Sequence, residues 1–250
     1  MFDRIDLGGG RRLAYVHSPG RTPGVLFCGG FKSDMTGAKA LALERVFREA
    51  GRAFTRFDYT GHGSSSGDFE DGTIGAWRDD AVAIIDEVTE GPLVLVGSSM
   101  GGWIMVLAAL ARPERVKGLV GIAAGPDFTE DLLWARGTEA QRAVLMKTGR
   151  WVAPSAYSDK PYVITRKLIE EGRDHLVLRS PIPYQGPVHL IHGQADPDVP
   201  WQTSLRLAEA LQSEDVTVEL IKSGDHRLSK PHELERITAA TERVLRSVEG

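Results

Sequence analysis

The run Leu93-Val94-Leu95-Val96-Gly97 followed directly by Ser98-Ser99-Met100-Gly101-Gly102-Trp103-Ile104-Met105-Val106-Leu107-Ala108-Ala109-Leu110-Ala111 constrains this chain more than any other feature. Five apolar or glycine residues without alternation suit a strand buried on both faces. The twelve from Met100 to Ala111 are almost wholly apolar and end at Arg112-Pro113, as a buried helix would. A strand passing into a helix within one or two residues requires a sharp turn. Gly97 and Gly101 flank that turn in the pattern G-x-S-x-G, which holds a serine hydroxyl exposed at the top of a sheet.

The pattern occurs twice. Gly63-Ser64-Ser65-Ser66-Gly67 also fits it, in a chain with 28 glycines, so the pattern alone carries little weight. Context separates the two. Ser65 has a strand upstream, but the polar TGHGSSSGDFEDG surrounds and follows it, which reads as a turn on the rim of a sheet. Ser99 has both a buried strand before it and a helix after it, so Ser99 is the expected nucleophile.

The rest of the chain alternates in the same rhythm. Strands are expected at 12–17, 24–28, 53–59, 93–97, 116–124, 188–192 and 216–221. Helices are expected at 40–51, 74–88, 99–111, 201–211 and 233–248. Such alternation predicts an α/β fold, a mostly parallel central sheet with helices on both faces. At 250 residues and 42% apolar content, one domain of this kind has a sufficient core. Residues 126–186 break the rhythm: two or three helices are expected there and no strand, separated by a Pro/Ser-rich stretch. An insertion of that length predicts a small helical cap, 126–186, on a core formed by 1–125 and 187–250. Trp134, Trp151 and Tyr157 are candidates to line its substrate pocket. Arg136, Arg150 and Arg179 read as solvated surface arginines with a lesser claim on a substrate carboxylate.

A serine hydroxyl needs a histidine to take its proton and an acid to orient that histidine. In strand–turn–helix sites of this kind the acid and then the histidine follow the serine in sequence. His226, in the loop SGDHRLS after the last strand, is the expected base, since ligands gather at the carboxyl ends of parallel strands. His189 and His192 lie within a strand and read as packed residues. They are three apart, so they point to opposite faces and make a poor metal pair. HGQADPDVP offers Asp196 and Asp198 as acids, and spacing does not separate them; Asp225 reads better as a turn residue. The oxyanion formed on attack needs two N–H donors, expected from Met100 and, in the loop CGGFKSD after an early strand, from Phe31.

These residues together resemble the α/β-hydrolase superfamily of serine hydrolases. The resemblance runs through PGVLFCGGFKSDMTGAKALALE, RFDYTGHGSS, GPLVLVGSSMGGW, LIHGQADPDVPW and SGDHRL. WVAPSAYS and RSPIP point more narrowly to an animal branch of that family, known as acyl-glucuronide esterases and protein S-depalmitoylases. The resemblance implies that the acid is Asp196 and matches His226 to the catalytic histidine. It implies cleavage of carboxylic esters or acyl thioesters, with no cofactor and no metal. One departure stands out: where the family carries His-Gly before the oxyanion residue, this chain has Gly29-Gly30.

Other classes are disfavoured. Thirty basic against thirty-four acidic residues give a net charge of −4 with no basic stripe, so no nucleic-acid partner is expected. One cysteine permits no internal disulfide, and no apolar leader or run of ~20 apolar residues is seen. A cytoplasmic monomer or small homo-oligomer acting on a small-molecule or lipid-like ester is expected. The competing readings are a ligand-binding protein on the same scaffold, and a C–C bond hydrolase or perhydrolase with the same three residues.

Overall fold

The computed structural model describes residues 2–153 and 161–250. Strands β1 (Asp3–Asp6), β2 (Arg12–Ser18), β3 (Arg21–Cys28), β4 (Arg52–Phe57), β5 (Leu93–Ser98), β6 (Val116–Ile122), β9 (Val188–Gly193) and β10 (Val216–Ile221) form one sheet. Its order is β1-β2-β4-β3-β5-β6-β9-β10. All pairings from β4 to β10 are parallel, and at the other edge β2 pairs antiparallel with both β1 and β4. The first edge strand was not anticipated, since its exposed DRID carries almost no apolar signal.

Helices α1 (Ala38–Glu49) and α7 (Pro231–Glu249) cover one face, and α2 (Ile74–Glu87), α3 (Met100–Ala111) and α6 (Gln202–Ala210) cover the other. Strand β5 shows why its sequence lacks alternation. Leu95 points into the core under α2 and α3, while Val94 and Val96 point into the core under α1 and α7. Successive side chains alternate faces, and both faces are buried, so every position must be apolar.

The chain order places the site. From β3 the chain passes through α1 to β4 on one side, then through α2 to β5 on the other side of β3. The connections therefore diverge between the carboxyl ends of β3 and β5, leaving a crevice where ligands bind in such sheets.

The segment between β6 and β9 corrects the expectation of helices alone. It contains a π-helical turn at Thr129–Trp134, α4 (Glu139–Thr148), the antiparallel pair β7 (Arg150–Ala153) and β8 (Tyr162–Thr165), and α5 (Arg166–Gly172). Arg150 pairs with Thr165 and Ala153 with Tyr162. α4 is bounded by local signals: Thr138 accepts the Gln141 N–H while Gln141 reaches back to the Thr138 N–H, and Gly149 ends it at φ +80°. The segment is anchored to the core through Asp127, whose carboxylate accepts the N–H groups of Val177 and Leu178 at 2.8 and 2.9 Å.

Candidate active site

Ser99 is the residue between β5 and α3. Its backbone has φ +55° and ψ −118°, a conformation that costs a non-glycine residue ~1–3 kcal/mol. The surroundings hold it there. Its N–H donates to Ile122 O at 2.9 Å, and its carbonyl accepts from Gly102 and Gly125 at 2.9 and 3.0 Å. The flanking glycines allow the fit. A Cβ on Gly97 would lie 2.3 Å from Gly101 O, and one on Gly101 would lie 2.1 Å from Cys28 O and 2.5 Å from Gly29 O. Backbone presses on backbone at both points, so neither neighbour can swing away. Gly101→Ala is therefore expected to destabilise the fold by ~3 kcal/mol or more, at the upper end for overpacking. For a chain of this size that is ~6–12 °C in Tm, measurable by thermal denaturation.

The structure brings the three predicted residues together. His226 Nε2 is 3.0 Å from Ser99 Oγ, and His226 Nδ1 is 2.7 Å from Asp196 Oδ2. His226 lies in the loop between β10 and α7, and Asp196 in the loop after β9, both at the carboxyl edge of the sheet. The alternatives fall away. Asp225 caps its own turn by accepting the N–H groups of Arg227 and Leu228, and Asp198 is exposed at the mouth of the cleft. Ser65 Oγ donates to Asp58 O at 2.6 Å and accepts the Ala14 N–H at 2.8 Å, so its hydroxyl is committed to the turn.

Asp196 is the most constrained group in the site. Its side chain is fully buried. Oδ1 accepts the N–H groups of Asp198 and Val199 at 2.8 and 2.9 Å; Oδ2 faces His226 and His192, at 2.7 and 3.1 Å. Burial pushes its pKa up, but the hydrogen bonds from His192 and His226 and the His226 charge outweigh that. The carboxyl is held well below the usual carboxylate range. Asp196, Asp198 and His226 lie close enough to suggest a cation site. Both oxygens of Asp196 already accept two hydrogen bonds each, which satisfies this carboxylate without an ion.

His192 is the residue that sequence reasoning missed. It was read as a packed strand histidine, and it is fully buried in β9. Its Nε2 also faces Val199 O at 3.0 Å, and its Nδ1 is 2.7 Å from Ser204 Oγ on α6. A carbonyl and a carboxylate both accept, so Nε2 carries the proton and Nδ1 receives the Ser204 hydroxyl. His192 thus fixes Asp196 from behind. The only sequence signal was its place four residues before the acid.

Ser99 opens onto a cleft of about 820 Å³. One wall is apolar, with Phe31, Phe128, Leu132, Leu133, Tyr162 and Ile164; Lys32, Lys39, Arg136 and Arg227 lie elsewhere around it. Phe31 and Met100 both line this cleft. Met100 is the first residue of α3, so its N–H has no carbonyl one turn back to bond. The Phe31 ring is wedged among Phe69, Phe128, Trp77 and Tyr162 at centroid distances of 4.8 to 5.9 Å.

The pocket-lining expectation is corrected for two tryptophans. Trp134 and Trp151 do not line the cleft; they pack on Leu145, Ile164 and Ile169 inside the segment between β6 and β9. Both are large enough that the segment's small core claims them. Tyr157 lies outside the described residues. Arg179 is paired with Asp131 and lies 3.3 Å from Asp127, and Arg150 lies 3.6 Å from Glu70, whereas Arg136 lines the cleft.

The Alpha/beta hydrolase family profile matches residues 25–237. The chain is 47% identical over 219 residues to mouse palmitoyl-protein thioesterase ABHD10, mitochondrial, covering 87% of this chain and 73% of that protein. The human protein of the same name is 43% identical over 224 residues, covering 89% and 73%. Among solved structures, mouse alpha/beta hydrolase domain-containing protein 10 superimposes with a TM-score of 0.91 at 41% identity, covering 98% of each chain. A protein of Agrobacterium vitis S4 does so with a TM-score of 0.93 at 39% identity, again over 98% of each. With its parallel sheet, its serine at the strand–helix turn and these relatives, the chain belongs to the α/β-hydrolase family.

Proposed function

We propose that this protein is a serine hydrolase that cleaves carboxylic esters and acyl thioesters through an acyl-enzyme on Ser99. The observation that carries this reading is the unbroken hydrogen-bond chain from Ser99 through His226 to the buried Asp196. In it, Ser99 attacks the substrate carbonyl while His226 Nε2 accepts the hydroxyl proton. Asp196 holds the Nδ1–H tautomer and stabilises the imidazolium. The N–H groups of Phe31 and Met100 take the negative charge that develops on the carbonyl oxygen, helped by the positive end of α3. His226 then protonates the leaving alcohol or thiol, and water repeats the sequence on the acyl-enzyme.

The cleft supports an acyl chain as the recognised group. Its apolar wall comes partly from Leu132, Leu133, Tyr162 and Ile164, all from the segment between β6 and β9, which we read as a cap that shapes the site. The relatives named palmitoyl-protein thioesterase favour a thioester of a long fatty acid. Leu132→Asp places a charge on that wall. It is expected to lower kcat/KM for a dodecanoyl ester by ~10-fold or more relative to an acetyl ester, because an unpaired carboxylate cannot be desolvated cheaply. Steady-state kinetics on a chain-length series checks this.

The function is tested by fluorophosphonate labelling with mass mapping, run beside turnover of p-nitrophenyl esters and S-acyl thioesters. Label on Ser99 together with turnover is the expected result. A folded protein without label or turnover returns the weight to a ligand-binding role.

A further inference from the structure

The second G-x-S-x-G stretch supplies no nucleophile, yet the residues leading into it lie against the loop that carries Phe31 and hold that loop at two points, through Asp58 and His62. The Asp58 carboxylate accepts the Met35 N–H at 2.7 Å on one oxygen and the Ser64 N–H at 2.8 Å on the other. His62 Nε2 accepts the Lys32 N–H at 3.1 Å, and His62 Nδ1 is 3.2 Å from Thr60 O. A carbonyl can only accept, so the proton sits on Nδ1 and Nε2 presents a bare lone pair to Lys32. The ring is clamped by Tyr59, Phe69 and Trp77 at 5.6, 5.1 and 5.1 Å between centroids. Burial pushes its pKa down to about 4, so it remains a neutral acceptor near neutral pH.

The loop needs such support. Gly29 and Gly30 have no side chains with which to hold it. Gly30 O accepts both the N–H and the hydroxyl of Ser33, at 3.2 and 2.8 Å, closing a four-residue turn over 30–33. Lys32, the third residue of that turn, has φ +57°, while Phe31 has no positive φ. A turn of that kind normally has glycine in the third position, and it differs from the commoner type I turn by a flip of the middle peptide. That middle peptide joins Phe31 to Lys32, and its N–H is the one His62 accepts. The turn lies directly on the nucleophile: a Cβ on Gly30 would stand 3.4 Å from Ser99 Cβ and 3.3 Å from Ser98 O.

We propose that His62 is a positioning residue for the oxyanion site. By accepting the Lys32 N–H, it anchors the Phe31–Lys32 peptide and so fixes the position of the turn, which keeps the Phe31 N–H, on the preceding Gly30–Phe31 peptide, facing the oxygen of a carbonyl bound at Ser99. This rests on the serine-hydrolase reading above. The chemistry is that of a hydrogen-bond acceptor acting through backbone, with no contact to substrate.

The test compares His62→Phe, which keeps an aromatic ring among Tyr59, Phe69 and Trp77 but has no acceptor, with His62→Gln, which keeps a neutral acceptor. Each is assayed on an oxygen ester and on the matching thionoester, whose sulfur is a poor acceptor for oxyanion N–H groups. The expected result for His62→Phe is a ~10- to 100-fold loss of kcat on the ester at little changed KM, somewhat below the loss for deleting an oxyanion donor outright. The ester-to-thionoester rate ratio should shrink by a similar factor, and His62→Gln should recover most of both. A His62→Phe enzyme with wild-type kcat, or one that loses ester and thionoester turnover equally, overturns the proposal. Should His62→Phe fail to fold, the imidazole nitrogen shifts of the wild-type protein decide. A protonated Nδ1 and bare Nε2 support the proposal, and the opposite tautomer overturns it. If wild type neither turns over ester nor takes the fluorophosphonate label, the serine-hydrolase reading itself has failed; normal wild-type turnover with an indifferent His62→Phe removes only this inference.

Discussion

Ser99→Ala is expected to lower kcat on any ester or thioester substrate by ~10⁴-fold or more, with fluorophosphonate labelling abolished. The size of the effect follows from the arrangement. Ser99 Oγ is the end of a hydrogen-bond chain that reaches the buried Asp196 carboxylate, and without it no acyl-enzyme is expected to form. Alanine leaves the proposed N–H donors of Phe31 and Met100 in place, so a residual rate from charge stabilisation is expected. The fold should survive, because the strained backbone is held by Ile122 O, Gly102 N–H and Gly125 N–H and not by the hydroxyl. Ser65→Ala is the matching control. It leaves the buried Ala14 N–H without its acceptor, at a cost of ~1–3 kcal/mol in stability, while labelling of Ser99 persists. Wild-type turnover in folded Ser99→Ala would remove the nucleophile assignment.

Asp196→Asn is expected to cost a similar factor, ~10⁴ in kcat, by a different route. The carboxylate accepts four hydrogen bonds: two from backbone N–H groups and two from imidazole N–H groups. A carboxamide has one accepting oxygen and one donating nitrogen. If the oxygen faces Asp198 and Val199, the NH₂ faces His226 and forces its proton onto Nε2, the tautomer that cannot take the proton of Ser99. If it is reversed, two backbone donors meet an NH₂ group and the loop loses its anchor. Either way the substitution hits catalysis, and the second way also hits stability. The pH dependence has a definite sign. The folded-state pKa of Asp196 is depressed, so the stability it contributes is present above the unfolded value of ~3.9 and is lost as pH falls through the folded value. Asp196→Asn should therefore lose stability chiefly above pH ~4 and converge with wild type in stronger acid. Urea denaturation across pH, beside steady-state kinetics, checks both parts.

Much of this site was legible from sequence because its parts are local. An apolar run of β-branched and leucine residues before Gly97 suits a strand buried on both faces, and the serine, its glycines and the start of its helix follow directly. Asp196 and His226 were legible as loop residues after strands, with the choice between Asp196 and Asp198 left to family resemblance. The segment between β6 and β9 was less legible. Tyr162–Thr165 reads YVIT, a short apolar string that runs straight into the helix RKLIEEG, and four residues do not distinguish strand from helix. It became a strand because Arg150–Ala153 lies opposite it, a pairing that no local pattern announces.

The sequence by itself determined the parallel sheet, the turn that strains Ser99 and the chain order of Ser99, Asp196 and His226. These depend on periodicity and on glycines whose missing Cβ is a local fact. Only the tertiary structure decided which buried polar groups act on the site. His192 lies behind Asp196 because β9 ends beside α6, and His62 meets Lys32 because the loop after β4 packs on the loop after β3. The same holds for Trp134 and Trp151, which were expected at the cleft and are turned into the core of their own segment. Hydrogen bonds and packing of this kind join residues from different strands and loops, so the physical information lies in the fold and not in the spacing.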